Sequence, residues 1–325
     1  MKKLVRSLAM TLALGVTVPA VAAAAEVDPA AAVQVMPRQA PGFYKWKLGE
    51  FTITSLSDGT SDMPVDQLLH GPGPGEVAAS FEAAFARLPM EMSVNAFLID
   101  TGRQLILVDA GGGALYGPSL GQVRQNLIAA GYRPEQVDLV LLTHIHGDHS
   151  GGLVIEGQPA YPNASIRVGA ADLDHYSDPA RSKAAADLEE INFSAAAALT
   201  AAYRSDGALV PLAEETEVTP GVVARPAPGH SQGHIVYEVE SRGERLMLLG
   251  DLVHVPQLQF AHPDYSMAFD FDENEGRAVR QTVLRDVAAQ RQWIAGAHLP
   301  FPGMGHIIIK DEGYAYIPAE YSANR

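Results

Sequence analysis

Three histidines and an aspartate stand within the six residues His144 to His149, in the segment Thr143-His144-Ile145-His146-Gly147-Asp148-His149. Imidazole nitrogens and carboxylate oxygens are common ligands of Zn²⁺ and related divalent cations. Without a cation, crowded imidazoles and a carboxylate would repel or desolvate one another at a real cost in free energy. The segment therefore predicts a metal site rather than a polar surface loop in which the histidines stand by chance.

The apolar run Val137 to Leu142 lies directly before this segment and must position it. The run is too short and too β-branched for a helix and is typical of a buried strand. Along an extended chain the side chains of His144 and His146 point the same way. Gly147 then lets the backbone turn, so that the next two side chains face a second point. One loop can thus serve two metal ions.

Three later segments each place a potential ligand after an apolar run. Each segment alone is weak support, because a lone histidine after a strand is usually a hydrogen-bonded surface or core residue. Together, and in this order, they indicate the further ligands that a two-metal site needs. The three segments contain His230 and His234 after Val222 to Ala224, Asp251 after Leu246 to Leu249, and His298 after Trp293 to Ala295.

The order His-x-His-x-Asp-His, Gly-His, Gly-Asp and Ala-His resembles the metallo-β-lactamase superfamily of dinuclear metallohydrolases. The resemblance covers nearly the whole chain, from Phe51 to Ile317. Four further segments look like the methyl parathion hydrolase branch and its lactonase relatives, and they are much less generic than the metal motif. These segments are Leu107 to Gly112, Leu115 to Pro118, Ala130 to Asp138 and Gly296 to Gly303.

This resemblance implies two bound divalent metal ions, with Zn²⁺ expected first and Mn²⁺, Co²⁺ or Fe²⁺ also compatible with N and O donors. It implies that Asp148 and Asp251 are catalytic as well as ligating, since a hydroxide shared by the two ions would be the nucleophile. One ion would be held by His144, His146 and His230, the second by Asp148, His149 and His298, with Asp251 bridging both.

The resemblance also implies that Tyr116 is an aromatic wall of the substrate pocket, and Phe193 and Tyr176 are weaker candidates for substrate binding. The branch has a second aromatic wall, a tryptophan, which has no counterpart in Asp172 to Tyr176. That departure argues against efficient hydrolysis of aryl phosphotriesters.

Two more histidines stand outside this ligand set. His234 is expected to hydrogen-bond near the Gly229-His230 loop and so to orient it. His254, three residues after Asp251, either faces the pocket or has a structural role.

Residues 1–25 have the three parts of a secretory signal peptide. The apolar part falls short of the roughly 20 residues that a spanning helix needs, so cleavage after Ala25 and a periplasmic or secreted location are expected. We assign residues 26–50 to an N-terminal arm and residues 51–325 to one hydrolase domain. The three parts are the basic Lys2, Lys3 and Arg6, the apolar Leu8 to Val18, and the small residues Ala20 to Ala25.

The cleaved chain has 20 basic and 38 acidic residues, a net charge of −18, and the sequence contains no cysteine. Such a charge repels nucleic-acid backbones and favours a small neutral ester or lactone as the substrate. Without cysteine, no thiolate can serve as a ligand or nucleophile, and the metals must be held by N and O donors. No membrane contact is expected after signal cleavage.

Predicted strands recur in both halves of the chain, with helices between them. This order suits an α/β layered fold of two mixed sheets flanked by helices, which is the αββα sandwich that the resemblance implies. The helix after Ser119 shows a capping-box pattern with Gln122 and should end at Gly131. The other predicted elements are the strands Phe51 to Ser55 and Ser165 to Val168, the hairpins Asn95 to Asp109 and Ile235 to Leu249, and the helices Lys183 to Tyr203 and Asn274 to Gln290, the last with a buried stripe of Val279, Val283 and Val287.

The stretch Asp62 to Met92 is predicted to be a long loop, because Gly71 to Gly75 alternates glycine and proline and cannot form regular structure. Long loops with apolar residues often cover a site or a partner. The stretch is therefore interpreted as a substrate lid or a dimer contact, with a plain packed connection as the alternative, and we expect a homodimer.

The sequence as a whole predicts a dinuclear metal-dependent hydrolase, with lactones as first substrates and aryl esters or organophosphate triesters as secondary ones. A β-lactamase is the alternative within the same class. Flavodiiron oxidoreductases are an alternative from another class, but they would place a carboxylate at His146 and append a flavin domain.

Overall fold

The computed structural model describes residues 39–185, 187–205 and 207–323. The predicted signal peptide and residues 26–38 of the predicted arm lie outside these described residues. Within the described ranges, none of the helices has both the length and the apolar character that crossing a membrane requires.

The described residues form eighteen strands and nine α-helices. In chain order the strands are Phe43–Leu48 (β1), Phe51–Met63 (β2), Leu69–His70 (β3), Met90–Asp100 (β4), Leu105–Val108 (β5), Leu139–Leu141 (β6), Val154–Ile155 (β7), Gln158–Pro159 (β8), Ser165–Gly169 (β9), Leu209–Leu212 (β10), Thr216–Thr219 (β11), Val222–Pro226 (β12), Ile235–Ser241 (β13), Glu244–Leu248 (β14), Ser266–Met267 (β15), Trp293–Ala295 (β16), Met304–Lys310 (β17) and Gly313–Pro318 (β18). The helices are Val65–Leu68 (α1), Glu76–Ala83 (α2), Val123–Ala129 (α3), Gly147–Ser150 (α4), Ala170–Tyr176 (α5), Pro179–Ala184 (α6), Asp187–Ala202 (α7), Pro256–Gln259 (α8) and Glu273–Gln290 (α9).

Two seven-stranded mixed sheets lie at the centre of this described part. The first has the order β1-β2-β4-β5-β6-β9-β10 and the second the order β11-β12-β13-β14-β16-β17-β18. Neighbours from β5 to β10 in the first sheet are parallel, as is the pair β14 and β16 in the second. Two short pairs, β3 with β15 and β7 with β8, stand apart from the large sheets.

The core has three apolar layers, because successive side chains of a strand point to opposite faces of its sheet. In β5, Leu107 packs with Leu127 of α3 on the helix side, whereas Ile106 packs with Leu246 of the second sheet. On the far side of the second sheet, Leu284 of α9 joins a further apolar cluster. The layers are therefore helix, sheet, sheet and helix, and this confirms the predicted αββα fold class.

The first sheet begins before the predicted domain boundary. Strand β1 pairs with β2 from Phe43 to Leu48, inside the segment assigned to the arm. Trp46 and Leu48 are buried, while Lys45 and Lys47, which alternate with them along the strand, are exposed. This alternation is that of an edge strand with one buried face, so the first sheet includes residues ahead of the assigned start of the domain at residue 51.

The predicted capping box of the helix after Ser119 is also wrong. Ser119 ends a short 3₁₀ turn, and α3 starts at Val123 without a side-chain cap from Gln122. The buried carboxylate of Asp58 accepts hydrogen bonds from the backbone N–H groups of Val123 and Gly121 instead, at 3.1 and 3.0 Å. A distant strand thus satisfies donors that a local cap would have taken. The helix does end before Gly131, as predicted.

The two other predicted helices differ in detail. The helix predicted from Lys183 is divided into α6 and α7. In α9, Val287 is buried as predicted, but Val279 and Val283 are only partly buried, and Arg280 is buried in their place. The guanidinium of Arg280 donates hydrogen bonds to the carbonyls of Pro263 and Tyr265, so this buried position of the helix is held by hydrogen bonds and not by the predicted apolar packing.

The stretch from Asp62 to Met92 contains regular elements that the sequence analysis did not predict, namely the end of β2, α1, β3, α2 and the start of β4. Its glycine-proline run, residues 71–75, follows the prediction and stays outside helices and strands, as do residues 84–89. Its apolar side chains form a small core that includes Phe81 and Leu69, together with Val255 and Leu258 at α8. The stretch is thus a folded subdomain next to the strand ends described below.

Candidate metal centre and substrate pocket

The candidate ligands lie where strands of both sheets end. His144 to His149 follow β6, His230 follows β12, Asp251 follows β14, and His298 follows β16. In an α/β sheet, side chains just beyond the carboxyl ends of neighbouring strands come together at one edge. The described structure places all seven predicted ligands in this way.

Three imidazoles form the first group of the cluster. Nε2 of His230 lies 3.2 Å from Nε2 of His144 and 3.1 Å from Nδ1 of His146. Oδ2 of Asp251 is 3.3 Å from the same His230 nitrogen. The donor atoms of these four residues all lie within 4.8 Å of one another, a spacing that can hold one metal ion.

Asp148, His149 and His298 form the second group. Oδ2 of Asp148 is 3.5 Å from Nε2 of both His149 and His298. Asp251 also reaches this group, since its Oδ1 lies 3.1 Å from Nε2 of His149 and its Oδ2 lies 3.0 Å from Nε2 of His298. Asp251 therefore contacts both groups, as the assignment of a bridging carboxylate requires.

Gly147 serves the loop by its small size. It is the first residue of α4 and has an ordinary helical conformation, so it does not supply the special turn that the sequence analysis assigned to it. A Cβ at this position would lie 2.9 Å from Ile191 and 3.0 Å from the hydroxyl of Tyr116. The close approach of α7 and Tyr116 to the loop requires glycine there.

The ring nitrogen of each candidate histidine that points away from the cluster has a partner in the protein. Such contacts fix the orientation and tautomer of a metal-ligating imidazole and leave the other nitrogen for the metal. The pairs are His144 Nδ1 with Thr143 Oγ1 at 3.0 Å, His146 Nε2 with the Tyr176 hydroxyl at 3.0 Å, His149 Nδ1 with Asp109 Oδ2 at 2.9 Å, His230 Nδ1 with Asp270 Oδ1 at 2.9 Å and His298 Nδ1 with the Ser93 carbonyl at 3.0 Å.

Asp109 and Asp270 hold these imidazoles and were not identified from the sequence. Asp109 has a left-handed backbone with φ of 58°, rare for a residue other than glycine, and its carboxylate also accepts the N–H and hydroxyl of Thr143 at 2.8 Å each. Asp109 directly follows the buried strand β5, the neighbour of β6, and this position could have identified it from the sequence. Asp270 had none, because it lies in an irregular connection before α9.

His234 and His254 support Asp251 from two sides. The backbone N–H of Asp251 donates to Nε2 of His234 at 3.0 Å, and Nδ1 of His234 donates to the Ala227 carbonyl at 3.2 Å. The hydrogen bond predicted for His234 near the Gly229-His230 loop is thus present, and the ring also contacts a second loop. Nε2 of His254 lies 3.0 Å from Oδ2 of Asp251, and its ring stacks on His298 at 5.0 Å.

The histidines of the cluster have pKa values shifted in opposite directions. Burial, with the neighbouring imidazoles, holds the pKa of His144 and His146 well below the ordinary value, so both rings are neutral and keep a free lone pair. Burial opposes charge on His149 and His298 too, but nearby carboxylates, above all Asp251, raise the pKa of both. A positive charge next to the buried carboxylates of the cluster therefore stabilises them.

The donors fit divalent metal ions. Among the described residues, the buried Nε2 of His149 and Oδ1 of Asp251 find no hydrogen-bond partner, although they lie 3.1 Å apart. Buried polar atoms usually have a hydrogen-bond partner, and a pair that lacks one has the character of metal ligands. A cation would pair with both atoms and supply the positive charge that the carboxylates require.

A cavity of about 410 Å³ opens beside the cluster and is lined by His146, Asp148, Asp251, His254 and His298. Tyr116 lines it as predicted from the resemblance. None of the described residues around it is lysine or arginine. Much of its wall is apolar. The folded stretch 62–92 supplies Met63, Pro64, Leu68 and Met92, and Val94 and Phe269 complete this part of the wall.

The two other aromatic candidates do not line this cavity. Phe193 is buried in the core between the first sheet and its helices and packs against Tyr176 at a ring distance of 5.1 Å. Tyr176 is buried too, with its hydroxyl on His146. Both were wrongly assigned to substrate binding, because the face that α5 and α7 turn to the core cannot be distinguished from a pocket wall by residue type. The residues of α7 that do line the cavity are Glu189 and Asn192.

Comparison with known proteins agrees with this geometry. The model of the metallo-beta-lactamase superfamily matches residues 90–303. A crystal structure of the hydrolase AbOPH, of the beta lactamase superfamily, is 31% identical, covers 88% of this chain and 100% of its own, and has a TM-score of 0.81.

Two other relatives differ from each other in activity. AidC, a dizinc quorum-quenching lactonase solved with a product, N-hexanoyl-L-homoserine, is 27% identical over 86% of this chain and 98% of its own, with a TM-score of 0.80. The atrochrysone carboxyl ACP thioesterase of Passalora fulva is 32% identical over 160 residues, 49% of this chain. The match spans only 38% of the length of that thioesterase.

Proposed function

The chain belongs to the metallo-β-lactamase superfamily of metal-dependent hydrolases, and we propose that it is a dizinc lactonase. The observation that carries the proposal is the wall of the cavity, which is largely apolar and has no lysine or arginine among its described residues. Such a wall favours a neutral, partly hydrophobic substrate over an anion. The likeness to AidC, a lactonase, supports the same substrate class.

In this proposal His144, His146 and His230 would hold the first zinc ion, Asp148, His149 and His298 would hold the second, and Asp251 belongs to both groups of ligands. When bound, the two ions supply a water-derived nucleophile at neutral pH and polarise the carbonyl of the substrate. The same chemistry would act on aryl esters and organophosphate triesters, which we propose as secondary substrates.

Two side chains of the cavity would act on the lactone directly. Burial and the nearby Asp148 raise the pKa of Tyr116, so its hydroxyl stays protonated and can donate a hydrogen bond to a substrate oxygen. The carboxyl group of Asp148 is 18% exposed and lies in both the cluster and the cavity wall. It is therefore placed to accept the proton that the attacking water releases and to pass it to the ring oxygen that leaves when the lactone opens.

The cavity disfavours the β-lactamase alternative. A β-lactam carries a carboxylate, and binding it in a partly desolvated cavity would require a cationic side chain. Apart from the proposed metal ligands, the described cavity wall contains two further carboxylates, those of Asp62 and Glu189.

A panel of substrates tests the proposed function on the zinc-loaded protein. We expect kcat/KM to be highest for a lactone with an apolar substituent, lower for an aryl ester and a phosphotriester, and lowest for a cephalosporin. The reason is that apolar contact favours the lactone and the acidic wall repels the β-lactam carboxylate. A cephalosporin that is hydrolysed better than every lactone would contradict the proposal.

A further inference from the structure

One carboxylate of the cavity wall takes no part in the candidate metal cluster. Glu189, on α7, lines the cavity together with His146, Asp148 and Asn192. Asn192 already has a structural role, because its Oδ1 accepts the backbone N–H of Gly147 at 2.9 Å. On this side of the cavity, Glu189 is therefore more available than Asn192 to bind a molecule in the cavity.

Glu189 is linked to the cluster through a tyrosine. The hydroxyl of Tyr176 lies 3.0 Å from Nε2 of His146. The same hydroxyl is hydrogen-bonded to the side chain of Glu189. The Tyr176 hydroxyl thus donates to one side of the Glu189 carboxylate, while Glu189 also borders the cavity.

Glu189 has no ion pair among the described residues. It is half-buried, and burial raises its pKa, with the hydrogen bond from Tyr176 acting in the opposite direction. A partly desolvated carboxylate with one donor can still accept bonds at its remaining lone pairs. An N–H or O–H group of a bound molecule would form a charge-assisted hydrogen bond there.

We propose that Glu189 determines specificity by accepting a hydrogen bond from the N–H of an acylamino substituent on the lactone ring. An amide on the ring combines the N–H that Glu189 can accept with an acyl chain that suits the apolar wall around Leu68, Met92 and Phe269. The inference rests on the proposed lactonase function and narrows it to lactones that carry a hydrogen-bond donor next to the ring.

Two matched substrates test this role on the zinc-loaded full-length protein. One is N-hexanoyl homoserine lactone, and the other is its carba analogue, in which CH₂ replaces the N–H. We expect the wild type to prefer the amide in kcat/KM by about tenfold or more, because one charge-assisted hydrogen bond is lost with the analogue. In Glu189→Gln this preference should fall below about threefold, since only a neutral acceptor remains.

A control variant separates this role from an effect of charge alone. Glu190→Gln removes the same charge from the exposed neighbouring residue and should keep the wild-type preference. Tyr176→Phe removes the donor that fixes Glu189, so it should weaken the preference for the amide as well as lower kcat/KM for both lactones through His146.

The outcomes distinguish the inference from the function on which it rests. A wild type without preference for the amide, or a Glu189→Gln variant that keeps the preference, overturns the role of Glu189 and leaves the lactonase proposal standing. Failure of the wild type to open either lactone, while it hydrolyses another ester of the panel, overturns the lactonase proposal itself.

Discussion

Replacing Asp251 with alanine is expected to lower kcat at least about a hundredfold, which corresponds to about 2.7 kcal/mol of activation barrier. Its carboxylate lies 3.0 Å from His298 and 3.1 Å from His149 in the second group, and 3.3 Å from His230 in the first. Without it, the two groups lose the one negative charge that they share. The measurement is steady-state kinetics of the zinc-supplemented variant on the preferred lactone.

Two further variants identify the cause of this loss. Asp251→Asn keeps the shape of the side chain and removes the charge, so it should show a similar loss if the charge holds the metals. Asp286→Ala removes an exposed acid of α9 and should have wild-type kinetics. Circular dichroism shows whether each variant folds. A folded Asp251→Ala that retains more than about a tenth of the wild-type kcat would exclude the shared role.

Replacing Asp109 with asparagine is expected to weaken zinc binding by about 10- to 100-fold. The carboxylate of Asp109 accepts from Nδ1 of His149 at 2.9 Å and so holds the other nitrogen of that ring toward Asp148 and Asp251. Asparagine tolerates the left-handed backbone at this position, but its amide group offers one acceptor oxygen instead of two. Competition with a chromophoric chelator measures the affinity.

The matched control for this variant is Asp138→Asn. Asp138 also binds a backbone N–H, that of Leu105 at 2.8 Å, but it lies before β6 and away from the cluster. We expect its zinc affinity to be that of the wild type. An Asp109→Asn protein whose affinity is within about threefold of the wild type would show that Asp109 does not orient His149.

The candidate ligands could be located from the sequence because each belongs to a local pattern. His144 to His149 directly follow a buried strand, and His230, Asp251 and His298 each follow another. Strand ends of an α/β sheet meet at one edge, so this order along the chain already indicates proximity in space. The order of apolar runs and helical patterns suits the layered fold, which the family resemblance implied.

Other features depend on contacts between residues distant in sequence. Asp58 caps α3 from another strand, and Asp270 reaches His230 across 40 positions. Neither carboxylate differs in its local pattern from a surface acid. Likewise, the face of α7 that borders the cavity, with Glu189, and the face that enters the core, with Phe193, are fixed by packing rather than by residue type.

The metal content of the purified wild-type protein tests the central claim most directly. Seven side chains in two groups that share Asp251 predict a two-metal site. After saturation with zinc and removal of the excess by dialysis, elemental analysis should find about two zinc ions per chain. A value that never exceeds about one ion per chain under metal-replete conditions would contradict the dinuclear centre on which the proposed mechanism rests.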